Sequence, residues 1–157
     1  MYHGWVTSLS LGDELLSVVA RLNRWASRLA VFDVPPAQAR LLAQLDELGP
    51  SRVGDLAQAD HTSQPTMSAQ VGRLEERGWV QRSADPADAR ASLIALSPLG
   101  AETLASVRRA RGAVVAPVVE QLGEADRARL EDAVAVLREL LATAVAAENP
   151  SPATKGQ

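Results

Sequence analysis

Apolar residues recur at helical spacing near the start of the chain. Between residues 10 and 32 they alternate by four and three positions, which is typical of a helix that packs through a coiled-coil-like seam. The seam comprises Leu11, Leu15, Val18, Leu22, Trp25, Leu29 and Phe32. A second stripe adds Leu16, Val19, Ala26 and Ala30. The helix is either the core of a bundle or shared with a second subunit. Sharing explains its two apolar sides better, because a small monomer offers few partners.

Prolines, glycines and serines divide the next segment into three short helices. Residues 33–36 end the first helix, because proline lacks an N–H and disfavours helical backbone in the residue before it. The next helix is predicted over 36–48, followed by a short helix capped by Ser51. A third helix is capped by Ser63 and ends at Gly78. Its expected buried residues are Met67, Val71 and Leu74. This is the helix-turn-helix arrangement, although three short helices occur in many folds.

A hairpin and two long helices complete the predicted elements. Strands are expected over 79–83 and 91–96, with a polar loop over 84–90 between them. Ser97 and Pro98 start a helix that reaches about residue 122, with a kink or break at Pro117. A last helix follows over 124–146, and a disordered tail is expected over 148–157. The fold class is therefore mainly α with a small β-hairpin.

The amino-acid composition excludes several kinds of catalytic and metal-binding site. The 157 residues include no cysteine, which excludes disulfides, thiolate metal sites and a cysteine nucleophile. Only two histidines occur, and there is no glycine-rich phosphate loop, so we expect no catalytic residues, no metal and no cofactor. The net charge of −3 does not indicate a polyanion partner. No apolar run is long enough to span a membrane, and no secretion signal is recognisable, so a cytoplasmic location is expected.

Three motifs lie in order along the central segment. They are residues 34–42 (VPPAQARLL), residues 64–82 with Gln-Pro-Thr-Met-Ser at their start, and residues 85–100, in which an Asp-x-Arg precedes a strand and a Ser-Pro helix start. Together they resemble the MarR family of bacterial transcriptional regulators, over about residues 10–146. The resemblance implies a winged helix-turn-helix in a two-fold dimer. Residues 10–32 and 98–146 would form the helical dimerisation region, and residues 36–97 the DNA-binding domain.

The third short helix is the expected DNA-reading element. With Met67 at its buried centre, helical geometry places Pro65, Ala69, Gly72 and Glu76 on the opposite side. Residues near the start of such a helix read bases in the major groove, and Gln64 can pair with adenine. The resemblance adds Arg90, which would enter the minor groove, and Asp88, which would pair with an arginine at the hairpin tip. The full set of expected DNA-binding residues is Ser63, Gln64, Pro65, Thr66, Ser68, Ala69, Arg73, Arg77, Arg82, Asp88 and Arg90.

Each of these residues also fits an ordinary structural role. A polar helix face is equally typical of a solvated surface, and Arg90 could form a salt bridge with Asp85 or Asp88. Arg73 or Arg77 could pair with Glu76. Two features weaken the expected DNA contacts: Ala69 stands where many family members carry arginine, and the span 61–97 is electrically neutral, with four arginines and four acids.

The resemblance also implies a small aromatic or lipophilic effector that shifts the regulator between two states. Five residues either line its pocket or belong to the core, so no ligand-binding residues are assigned: Trp25, Leu29, Phe32, Leu41 and Leu45. The predicted function is a homodimeric repressor that binds a pseudo-palindromic operator in double-stranded DNA. The alternative is a winged-helix module that binds another protein and not DNA.

Overall fold

The computed structural model describes residues 3–148. Their elements are α1 (His3–Leu29), α2 (Pro36–Leu48), α3 (Val53–Ala59), α4 (Gln64–Glu76), β1 (Val80–Asp85), β2 (Asp88–Leu96), α5 (Pro98–Glu120) and α6 (Glu124–Glu148). The two strands pair antiparallel. The predicted class, mainly α with a small hairpin, is confirmed. One compact unit reaches to Val114 and a second begins at Val115.

The core of the first unit gathers apolar side chains from four helices and the hairpin. The cluster includes Leu41, Leu42 and Leu45 of α2, Leu56 and Ala57 of α3, Met67, Val71 and Leu74 of α4, Trp79, Val80 of β1, Ile94 of β2, and Leu104 of α5. The three predicted core positions of α4 are all fully buried, which confirms the helical phase. Helix α4 is therefore held by its inner face and presents the opposite face to solvent.

Local sequence signals explain both ends of α4. At its start, the Ser63 Oγ accepts a hydrogen bond from the Thr66 amide at 3.3 Å, as expected for an N-cap. At its end, Gly78 has a φ of 69°, which glycine adopts without steric cost. The amides of Gly78 and Trp79 donate to the carbonyls of Glu75 and Leu74, both at 2.9 Å. This is a Schellman arrangement, and it turns the chain directly into β1.

The predicted cap at Ser51 is wrong. The N-cap position of α3 is Arg52, whose side chain makes no capping hydrogen bond. The Ser51 Oγ donates instead to the Gly49 carbonyl at 3.0 Å. The backbone of Ser51 forms an isolated antiparallel bridge with Ile94, with N–O distances of 3.0 and 2.8 Å. Pairing with a strand that lies 43 residues away overrides the local capping preference.

The hairpin is longer than predicted, and the seven-residue loop at 84–90 is wrong. Only residues 86 and 87 form the turn, and the flanking residues extend the strands. Pairing runs regularly from Val80–Leu96 to Ala84–Ser92, then shifts so that Asp85 faces Asp88. The residues between 88 and 92 thus bulge out of the ladder. Turn-forming Asp and Pro marked the tip correctly, but sequence alone could not place the bulge. We call β1, β2 and their turn the wing.

Three further boundaries differ from the expectations. Helix α1 ends at Leu29, so Phe32 lies beyond it. The helix does not break at Pro117, since α5 continues to Glu120. One missing N–H near a helix end removes a single backbone hydrogen bond, and the last turn survives this loss. Helix α6 extends to Glu148, and residues 149–157 of the expected tail lie outside the described residues. Among residues 3–148, no helix has the length and apolarity that a membrane crossing requires.

Candidate nucleic-acid interface

The solvent-facing side of α4 carries the residues that the sequence singled out. The residues on or beside this side are all exposed to solvent: Ser63, Gln64, Pro65, Thr66, Ser68, Ala69 and Arg73. The hydroxyls of Ser63 and Thr66 lie 2.7 Å apart, so the cap also orients Thr66 at the helix start. A helix start attracts a phosphate group, but here Pro65 has no N–H and the Thr66 amide donates to the Ser63 Oγ. The outer face itself is nearly smooth, because Pro65, Ala69 and Gly72 offer no side-chain donors.

A cleft of about 470 Å³ separates α4 from the wing. Its walls come from the start of α3, from α4 and from both strands. The polar side chains among its lining residues are Arg52, Asp55, Gln64, Ser68, Arg82, Arg90 and Ser92. Three arginines thus converge on the cleft, although the surrounding segment is neutral overall. Local placement of cations can attract a phosphate backbone where net charge does not.

Asp85 organises the tip of the wing. Its Oδ1 accepts a hydrogen bond from the Ala87 amide at 2.8 Å, and its Oδ2 accepts from the Arg52 Nε at 2.7 Å. These two bonds, the amide first, lower the pKa of Asp85 below its usual value. The hydrogen bond with Asp85 raises the pKa of Arg52 in turn. The Asp85 side chain is only 8% exposed, so the tip is tied to α3 by a sheltered ion pair.

The role expected of Asp88 therefore belongs to Asp85. Within residues 3–148, no ion pair joins Asp88 to an arginine. The Asp88 Oδ1 accepts instead from the backbone amide of Arg90 at 3.0 Å. The sequence pattern does not single out Arg52, because nothing local links it to a carboxylate 33 residues away. Asp85 had one signal, since aspartate before proline is typical of a turn whose side chain binds the following amides.

The predicted arginines occupy different environments. Arg90 is exposed, and in the described part of the chain it pairs with neither Asp85 nor Asp88. Arg82 is engaged by Glu75 through two hydrogen bonds, Nε–Oε1 at 2.9 Å and Nη2–Oε2 at 3.1 Å. The guanidinium of Arg77 lies 4.8 Å from the centre of the Trp79 ring. Arg90 is thus freer to meet a ligand than Arg82, whose phosphate contact must compete with Glu75.

The five residues considered for an effector pocket do not line one cavity. Leu41 and Leu45 are fully buried in the core. Trp25 borders a groove on α1 together with Val18 and Leu22. Phe32 borders a different groove, of about 430 Å³, whose lining residues include Val34, Trp79, Leu99, Glu102 and Arg109. No cluster of acidic or histidine side chains in the described residues could hold a metal ion.

Comparison with known proteins decides the family. Residues 34–92 match the model of the MarR family. An uncharacterized HTH-type transcriptional regulator of Mycobacterium bovis, Mb0904, is 30% identical over 132 residues, which cover 83% of this chain and 92% of the relative. The chain belongs to the MarR family. MarR-family members are transcriptional regulators and not enzymes, and DNA binding is a property of the family.

Two further comparisons concern part of the chain and its fold. An uncharacterized HTH-type regulator of Bacillus subtilis, YxaD, is 39% identical over 71 residues. That match covers 45% of this chain, and the chain spans about half the length of this relative, 50%. The crystal structure of the transcriptional regulator Tm0710 from Thermotoga maritima superposes with a TM-score of 0.71 over 87% of this chain and 98% of that one. At 24% identity, this second likeness concerns the fold.

Proposed function

We propose that the protein is a homodimeric repressor that binds a pseudo-palindromic operator. Helix α4 enters the major groove, and the wing places Arg90 in the adjacent minor groove. The observation that carries this proposal is the cleft between α4 and the wing, because exposed polar residues of the helix and the exposed side chain of Arg90 border the same space. In such a dimer the two recognition helices lie about one duplex turn apart, roughly 34–36 Å.

The charged and the neutral side chains of the interface suit different parts of the DNA. Arg90, Arg73, Arg77 and Arg82 meet phosphates or a narrow minor groove, whereas Gln64 and Ser68 reach base edges. Ser63 and Thr66 contribute at the helix start. Pro65 and Ala69 allow close approach to the groove floor, and Asp88 holds the Arg90 amide. With a neutral segment around them, these contacts favour a modest non-specific affinity.

The deciding experiment selects operator fragments from the genome and measures their binding by fluorescence anisotropy at two salt concentrations. We expect two protomers per site, affinity at least about 10³-fold above that for a random duplex, and weaker binding at higher salt. Arg90→Ala should reduce the operator affinity by about 1–3 kcal/mol. Arg108→Ala is the matched control, because it removes one arginine that pairs with Asp46 at 2.9 Å, away from the cleft. Selection of no fragment above the random duplex would favour the protein-binding alternative.

The repressor role and the effector need tests of their own. A reporter gene placed behind the selected operator should be expressed more strongly when this protein is absent. An aromatic carboxylate fits the groove beside Phe32 and Trp79, because Arg109 supplies a cation at its border. Titration of benzoate and of a longer lipophilic acid into the DNA complex should lower the anisotropy. An unchanged complex at saturating acid would argue against an effector of this class.

A further inference from the structure

We propose that Asp85 and Arg52 act as positioning residues, which fix the wing so that Arg90 faces the cleft. This inference rests on the proposed DNA binding and goes beyond it, because neither residue needs to touch the nucleic acid. We call the pair the wing clamp. It joins the start of α3 to the hairpin tip through a side chain that is nearly inaccessible to solvent.

The two carboxylate oxygens of Asp85 bind different partners. The Oδ2 accepts a hydrogen bond from the Arg52 Nε at 2.7 Å, and the Oδ1 accepts one from the Ala87 amide at 2.8 Å. One carboxylate therefore shapes the turn and anchors it to a helix at the same time. An asparagine at this position has a single, uncharged acceptor oxygen, so it could not replace both hydrogen bonds at the same strength.

Arg90 lies close to the turn that Asp85 holds. Strand pairing passes from Ala84–Ser92 to Asp85–Asp88, so Arg90 lies in the bulge between the two pairs. Its amide donates to the Asp88 Oδ1 at 3.0 Å, on the residue that faces Asp85. A bulged residue lacks the ladder that would otherwise fix its direction. The orientation of the Arg90 side chain thus depends on the hydrogen bonds by which Asp85 fixes the adjacent turn.

Arg52 does not cap the helix that it precedes. It occupies the N-cap position of α3, where serine, threonine, asparagine or aspartate would accept an amide hydrogen bond. Arginine has no acceptor, and its side chain extends to the wing instead. The neighbouring backbone of Ser51 bridges Ile94, so the start of α3 holds the wing at its base as well as at its tip.

The decisive variant is Asp85→Asn, because electrostatics and the wing clamp predict opposite results. Removing a carboxylate beside a phosphate-binding cleft should strengthen DNA binding, or leave it unchanged, if charge alone matters. Loss of the wing clamp should weaken operator binding at least about fivefold, which is the loss expected when one groove contact is misplaced. Operator affinity that is equal to or tighter than wild type would overturn the proposal.

A matched control separates the wing clamp from ion pairs in general. Asp46→Asn removes a carboxylate paired with Arg108 at 2.9 Å, outside the residues that line the cleft. We expect this variant to bind operator as tightly as wild type or more tightly. Equal weakening by both aspartate variants would contradict a specific role for Asp85.

A double-variant cycle tests whether Asp85 acts through Arg90. In an Arg90→Ala background, Asp85→Asn should cause no further loss of affinity, because the contact that it positions is already gone. Independent losses that multiply would overturn the proposal. Arg52→Lys keeps a cation opposite Asp85 but loses the two guanidinium donors, so it should lose less affinity than Arg52→Gln, which should bind no more tightly than Asp85→Asn.

Hydrogen exchange gives a readout that needs no DNA. The amides of Ala87 and Arg90, which donate to the two aspartates, should exchange faster in Asp85→Asn, while the amides of α4 stay protected. Unchanged exchange at the wing would overturn the proposal even if affinity fell. If wild type selects no operator, the proposed DNA binding fails, yet the exchange result still decides whether the wing clamp exists.

Discussion

Asp85 makes the stability of the wing depend on pH. Hydrogen bonds from the Ala87 amide and from Arg52 lower its pKa in the folded state below the ordinary value of 3.8. The unfolded chain therefore binds the proton more readily than the folded chain. The stabilisation is complete above the unfolded-state pKa and is lost as the pH falls from there through the lowered folded-state value.

This asymmetry predicts how Asp85→Asn responds to acid. The variant should be less stable than wild type at neutral pH, and the difference should shrink between about pH 5 and pH 3, where wild type loses its advantage. Urea unfolding at several pH values, followed by circular dichroism, measures the gap. A difference between the two proteins that stays constant down to pH 3 would contradict the assigned cause.

Ser63 is a second residue whose contribution can be isolated. Ser63→Ala removes the acceptor of the Thr66 amide and should destabilise the protein by about 1 kcal/mol. Ser63→Asn keeps an acceptor in the same place and should stay close to wild type. Urea denaturation distinguishes the two variants, and equal stability of all three proteins would show that solvent satisfies this amide equally well.

At the scale of elements, the start of α5 packs tightly on the corner between α4 and β1. The Ser97 Oγ donates to the Gly78 carbonyl at 2.6 Å and accepts from the Gly100 amide at 3.0 Å. A Cβ atom on Gly100 would overlap the carbonyl oxygen of Trp79. This position is therefore closed to any side chain, and the contact fixes how α5 leaves the wing.

Two glycines of the same helix give opposite predictions. Gly100→Ala should destabilise the protein by about 1–3 kcal/mol or more, because backbone must move to admit the methyl group. Gly112→Ala meets nothing within 4 Å and should stabilise α5 by about 0.5–1 kcal/mol, since alanine loses less entropy in a helix. Thermal unfolding checks both signs. Similar shifts of the two midpoints would contradict the close packing at Gly100.

At this scale, the sequence could predict features that depend on neighbouring residues, but not those that depend on residues far apart in the chain. The bounds of α2, the cap at Ser63 and the phase of α4 depend on neighbours within one turn, and they were confirmed. The cap at Ser51 was wrong because the Ser51 backbone pairs with Ile94, and the arginine partner expected for Asp88 was wrong because Arg52 pairs with Asp85 instead. Such partners come together only after the chain has folded. The arginines of the cleft were predicted in part, since Arg82 and Arg90 lie in the motif whereas Arg52 lies outside it.

At the scale of the whole molecule, the long helices retain exposed apolar side chains. On α1 these include Leu11, Leu16, Val18, Leu22 and Leu29, and on α6 they include Leu130, Val134, Leu140, Leu141 and Val145. Leu141 is 63% exposed. Apolar surface on this scale is typical of a protein interface, and it agrees with the proposed homodimer.

Leu141→Gln should weaken the proposed dimer. Burial of one leucine is worth about 1.5–3 kcal/mol, and a two-fold axis doubles the loss. Glu139→Gln lies on the opposite side of α6 and should leave association unchanged. Sedimentation equilibrium of both variants measures the dissociation constant. A monomeric wild type at micromolar concentration would contradict the dimer, and an unchanged Leu141→Gln would place this residue outside the interface.

The bridge between Ser51 and Ile94 also has a consequence for synthesis on the ribosome. Helices α2, α3 and α4 are made first, yet their shared core is completed by Ile94 and Leu104, which come later in the chain. Translation adds roughly 5–20 residues per second, so the earlier helices wait roughly 1–6 seconds with their inner faces open. The nascent chain thus exposes apolar surface during that interval, and a chaperone that recognises extended leucine-rich segments should bind ribosome-stalled chains that end before residue 94 more strongly than longer ones.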